Sequence, residues 1–156
     1  MRKFLTIIAL SISLNSIPQF ALAQSDDDVV QVQEALSSFL ESFNNLDWDN
    51  FKTSFTDNAS IFGFQWNSAG RKNLEESMFG AFPWVTDPSD RPGSPPYLNI
   101  SPLDLEIEIL GDTALVTFHL RRPQDPATLA QRTLLLVKQG NVWKIHHLHA
   151  SIVSEG

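Results

Sequence analysis

The chain contains no cysteine. Disulfide bridges, thiol nucleophiles and thiolate metal sites are therefore excluded, and packing alone must hold the fold. Positive charge is scarce as well: eleven Lys and Arg stand against eighteen Asp and Glu, a formal net charge of −7. A surface of that sign repels phosphate backbones and anionic headgroups, so nucleic acid and membrane surfaces are poor partners. Tyrosine occurs once, at Tyr97. Long unbroken apolar runs are missing too. The stretch from Phe4 to Phe20 is interrupted by Asn15, Pro18 and Gln19, whereas a membrane-spanning helix needs roughly 20 apolar residues without such breaks. No internal repeat is present, and the one biased tract is PWVTDPSDRPGSPP at 83–96, with five prolines.

What the N-terminus does carry is the layout of a cleavable secretory signal. Arg2 and Lys3 form a basic start, the broken apolar stretch follows, and Ala21-Leu22-Ala23 supplies a small-x-small cleavage site. The expectation is a signal peptide over 1–23, a mature chain beginning at Gln24, and one domain over 24–156. The leader holds two cations and no acid, so nine cations then face eighteen acids, a formal charge of −9. An exported chain without disulfides fits a periplasmic or secreted location, the bacterial periplasm better than a disulfide-stapled extracellular module.

Hydrophobic periodicity sets out an α+β domain. Val29, Val32, Leu36, Phe39, Leu40 and Phe43 have the i, i+3, i+4, i+7 spacing of a helix with one buried stripe, capped at Ser25 or Asp26. A short second helix is expected from Trp48 to Phe55 with Asp47 as its cap, then TDNA as a turn and SIFGF as a short strand. NSAGRKNLEESMFGAF reads as a turn and a third helix ending at Pro83, followed by the proline-rich loop. LDLEIEIL at 103–110 alternates, with Leu103, Leu105, Ile107 and Ile109 on one face. TALVTFHLRR, QRTLLLVKQ and VWKIHHLHASIV complete an antiparallel meander joined through GD and GN. Such a sheet must bury one face under helices.

The helix followed by DWDNFKTSFTDNASIFGF, then SAGRKNLEESM, GDTALVTFHL and RTLLLVKQGNVWKIHHLHAS, resembles in order and spacing the SnoaL-like branch of the nuclear transport factor 2-like superfamily. It looks closest to relatives of the calcium/calmodulin-dependent protein kinase II association domain, over about residues 28–153. The resemblance implies a cone, with a strongly bent sheet wrapped on about three N-terminal helices around a cavity, and frequently a homodimer formed through the sheet. It fixes no activity, because the superfamily hosts isomerases, dehydratases, cyclases, adaptors and oligomerisation hubs on one scaffold. The tyrosine and protonated-aspartate pair of the steroid isomerases has no counterpart here.

Three of the four histidines fall in WKIHHLHAS. Alternation along a strand without a bulge puts Trp143, Ile145, His147, His149 and Ser151 on one face and Lys144, His146, Leu148 and Ala150 on the other. His119 on the neighbouring strand can join the pair. Three readings follow. His147 and His149 serve an outer-face dimer interface; or they line the cavity as catalytic acid/base groups; or His119, His147 and His149 make a zinc platform with a fourth position for water, although no carboxylate or thiolate completes the set. Trp66, Tyr97, His119 and Arg132 are the candidate ligand-binding side chains, Arg132 as an anchor for an anionic group. Phe62 and Phe64 join Trp66 as pocket or core residues, and Trp48 and Trp143 pack the core. The leading expectation is a dimer that holds a small, partly apolar molecule without metal or cofactor. The second is a cofactor-independent isomerase or lyase acting on a small hydrophobic substrate.

Overall fold

The computed structural model describes residues 19–63, 93–122 and 125–153. Its order is α1 (Gln19–Asn44), α2 (Trp48–Thr53), β1 (Phe55–Phe62), β2 (Pro102–Leu110), β3 (Thr113–Arg122), β4 (Asp125–Gln139) and β5 (Val142–Val153). The expected third helix, most of the proline-rich loop, Phe64 and Trp66 lie outside the described residues. The five strands form one sheet in the order β1-β5-β4-β3-β2. β1 runs parallel to β5, and the other neighbours are antiparallel.

The stripe on α1 faces inward as its spacing requires, with Val32, Leu36, Phe39 and Leu40 buried. Its start differs from expectation. The helix is already formed at Gln19 and passes through Ser25 and Asp26, because Ala21, Leu22, Ala23 and Gln24 are strong helix formers that nothing interrupts. Asp28 on α1 is buried against Lys138 of β4 at 2.5 Å.

Asp47 caps α2 as its position predicts, accepting a hydrogen bond from the Asn50 backbone N–H at 3.2 Å. Asp47→Ala is expected to cost about 1 kcal/mol of stability, the usual worth of such a cap, read as a lower urea midpoint with unchanged slope. The helix stops at Thr53, and the next residues depart from the sequence reading: TDNA is part of β1, not a turn. The Ile145 N–H bonds Ser54 O at 2.8 Å, so pairing with the last strand draws this segment into the sheet and overrides its local turn preference. Phe39, Phe51 and Phe55 meet here with ring centroids 5.1–5.8 Å apart, joining both helices to the sheet.

One face of the sheet packs on the helices. Ala114, Val116, Phe118 and Leu120 of β3 share it with Ala130, Leu134 and Leu136 of β4 and with Trp143, Ile145, Leu148 and Ala150 of β5. The register shifts in each of the four strand pairings, and two of these shifts bear on the site. In β2 the register slips between Leu103 and Glu106, where Asp104 has φ 52°. Ile107 and Ile109 therefore face the core side, while Leu103 pairs with His119 on the opposite side and Leu105 is exposed. The expected single apolar face of LDLEIEIL is split. In β5 the register slips at His146, between the pairs Leu136↔Ile145 and Leu135↔His147.

Candidate functional site

The bulge at His146 decides where the histidines stand. Trp143 and Ile145 precede it and lie in the core, 3% and 2% exposed. After it the alternation is inverted, so His147, His149 and Ser151 pair with Leu135, Thr133 and Gln131 on the face away from the helices. The expectation that Ile145 shares a face with His147 and His149 is thus corrected: the extra residue in the strand separates them. His147 and His149 do not stand on the helix-packed side.

Each imidazole has a defined neighbour. Ser60 Oγ of β1 and His147 Nδ1 share a hydrogen bond of 2.8 Å. The His149 ring lies tilted against Phe62 at 5.3 Å. Phe62, read from sequence as pocket or core, is thereby on the outer face and 42% exposed. His146, at the bulge, approaches Thr56 Oγ1 through Nδ1 at 3.2 Å. His119 Nδ1 sits 3.3 Å from Asp104 Oδ2. That atom is also buried without a hydrogen bond of acceptable geometry, so the contact is electrostatic and misaligned. Asp104 stands at the β2 register shift, where its backbone is left-handed.

On this outer face the described side chains form a grid whose rows cross the strands. One row is Glu106, Thr117, Thr133, His149 and Phe62, and the next is Glu108, Leu115, Leu135, His147 and Ser60. A groove of about 420 Å³ runs across it, lined by Asp104, Glu106, His119, Arg132, His149 and Ser151 among others. His119 and His149 lie on strands separated by β4, so about 10 Å of sheet divides them, too far for one ion whose bonds to nitrogen are about 2 Å. Among the described residues, no group of three or more His, Asp or Glu is arranged to hold a metal ion.

Arg132 and Tyr97 differ from the histidines in register. Arg132 is in register with Phe118 and Ala150, the helix-facing set, and its guanidinium donates to Gln131 O at 2.7 Å and to Ser151 O at 3.5 Å. Tyr97 is half-buried against the core. Its segment is fastened by Asn44 at the end of α1: Asn44 O accepts from the N–H groups of Tyr97 and Leu98, and the Asn44 carboxamide both donates to and accepts from the backbone of Ile100 at 2.9 Å. That clamp escaped the sequence reading, and an Asn at a helix end was its one local signal. The structure thus brings His119, His149 and Arg132 to one groove with His147 in the adjoining row, Arg132 reaching it from a backbone position in register with the helix-facing set, and places Tyr97 against the core.

Described helices packed on an unclosed five-stranded sheet fit the α+β cone that the resemblance implied, and the parallel pairing of β1 with β5 adds to it. The family model for the SnoaL-like domain matches residues 32–155. The chain belongs to the SnoaL-like family. Solved structures agree at the level of fold. A putative dehydratase from the NTF2-like family of Streptomyces avermitilis superposes with TM-score 0.61 at 20% identity, covering 83% of this chain and 98% of that one. A putative ketosteroid isomerase from Shewanella frigidimarina gives 0.55 at 22% identity, with coverage of 76% and 92%. The CaMKII hub homology domain of Chlamydomonas reinhardtii gives 0.60 at 16% identity, with coverage of 81% and 99%. No curated protein matches the chain. At these identities the SnoaL-like domain shares an α+β cone with its neighbours, and its site must be read from its own residues.

Proposed function

We propose that this chain is an exported SnoaL-like domain that pairs with a second copy through the sheet face that neither described helix covers and holds a small, partly apolar ligand in its cone. The observation that carries the pairing is the make-up of that face. Leu115, Leu135 and Val137 are half-buried along its middle, Thr117 and Thr133 sit beside them, and both described helices pack on the other side. An antiparallel sheet that faces water on one side ordinarily alternates apolar inward with polar outward. Aliphatic side chains in the middle of the outward set are a reason to cover it, and one self-complementary surface suits a twofold dimer.

The ligand part of the reading rests on the inner face. Phe118, Leu134, Leu148 and Ala150 are buried apolar residues of that face, Arg132 stands in register among them, and Tyr97 packs against the same core. Apolar walls with a few fixed polar groups are the usual construction of small-molecule sites. No cofactor is invoked. The export part rests on the layout of residues 1–23 in the sequence.

The test is direct. Protein recovered after export is expected to begin at Gln24 by N-terminal sequencing and to scatter light as a dimer at micromolar concentration. Intact Met1 would overturn the export claim, and a monomer would overturn the pairing.

A further inference from the structure

The outer face is uneven in charge, and the unevenness has a direction. Glu106 and Glu108 stand on β2 at one side of the sheet, and His149 and His147 stand in the same two rows on β5. Three strand spacings, about 14 Å, separate acid from imidazole, so within one copy they do not meet. Between them each row is neutral: Thr117 and Thr133 in the first, Leu115 and Leu135 in the second. Each row therefore reads acid, neutral, neutral, imidazole.

A pattern of that kind selects among the ways two copies can stack with their strands aligned. If the twofold axis lies in the interface across the strands, the first row covers the second, Glu106 meets the partner's Glu108, and carboxylate faces carboxylate. If the axis runs along the strands between β3 and β4, each row covers itself in reverse. Glu106 then meets the partner's His149, Glu108 meets the partner's His147, Thr117 meets the partner's Thr133, and Leu115 meets the partner's Leu135. An imidazole has an N–H to donate to a carboxylate in either protonation state, whereas two carboxylates in a poorly hydrated contact repel.

Resting on the pairing proposed above, we infer that the second copy docks about the strand-parallel axis, with Glu106–His149 and Glu108–His147 contacts, each made twice, setting its register. The same operation lays one 420 Å³ groove over the other, so the concave part of the face encloses a shared space and the aliphatic middle makes the dry contact.

The experiment measures the dimer dissociation constant by sedimentation for the wild type, Glu106→Lys, His149→Glu and the double variant. Each single substitution is expected to weaken the dimer by at least about tenfold, since each puts like or poorly matched groups together at two symmetric places. The double variant restores a carboxylate–cation contact and should return to within a few-fold of wild type. General charge works the other way for Glu106→Lys: it reduces the net negative charge and the repulsion between copies, so a weaker dimer reports the local contact.

Under the other axis Glu106→Lys would meet the partner's Glu108 and tighten the dimer, and that result, or no change, would overturn the inference. So would additive losses in the double variant. If His149→Glu impairs folding by circular dichroism, Glu106→Gln and His149→Gln replace the pair, and their losses must be less than additive. A monomeric wild type would remove the pairing itself, whereas a dimer indifferent to these substitutions would remove only the register.

Discussion

Alanine at Asp28 is expected to cost about 3–5 kcal/mol of folding stability, the ordinary penalty for stripping one partner from a buried ion pair. Asp28 and Lys138 have side chains only 6% and 17% exposed, and they join α1 to β4 across the core. With the carboxylate gone, the ammonium is left in a site too dry to hydrate it, with the Trp143 ring 5.7 Å away as its remaining described contact. The loss is therefore mainly the cost of an orphaned charge. A second variant separates this from packing: Asp28→Leu with Lys138→Met removes both charges, keeps most of the volume, and should fall within about 1–2 kcal/mol of wild type. Urea denaturation at fixed protein concentration reads both, since an associating protein gains apparent stability with concentration. A loss below 1 kcal/mol for Asp28→Ala would show that water reaches the pair.

The second large effect is at Gly63, where β1 ends. Its φ is 78°, and a methyl group there would overlap the backbone carbonyl oxygen of Ala150 on β5. Both obstacles are backbone, and neither relaxes by turning a side chain. Gly63→Ala is expected to cost about 3 kcal/mol or more. Gly140 provides the control, because its φ is 65° but nothing stands within 4 Å of the added methyl. Gly140→Ala bears only the left-handed backbone penalty, about 1 kcal/mol. Equal melting temperatures for the two variants would mean that β1 moves away from β5 to admit the methyl.

The parts of this fold that were legible in the sequence are those whose cause is local. The stripe from Val32 to Leu40 and the Asp47 cap need only the residues themselves, and both are found where their spacing puts them. The alternation of TALVTFHL likewise emerges with Ala114, Val116, Phe118 and Leu120 buried. The errors share a different origin. TDNA entered a strand by pairing with β5, far along the chain, while Leu103 and Leu105 left the core face and Ile145 parted from His147 at bulges formed with the neighbouring hairpin strands. A bulge is set by two strands together, so neither sequence alone displays it. For the candidate site this matters more than for the fold, since one extra residue at His146 determines which side of the sheet two histidines occupy. The partnership of Asp28 with Lys138, 110 residues apart, was hidden for the same reason.

Among the described strands β1 has a single neighbour in the sheet, and that neighbour is the last strand. Ser60 finds His147 only after 87 further residues have been made. During synthesis the aromatic cluster of the N-terminal part has no sheet to rest on, and the fold closes when β5 arrives, a long-range step of the kind that slows folding. For a chain that is exported, as proposed above, that lateness would have a use. A polypeptide unable to complete its core until its end emerges stays pliable long enough to be passed through a pore, and folds on the far side.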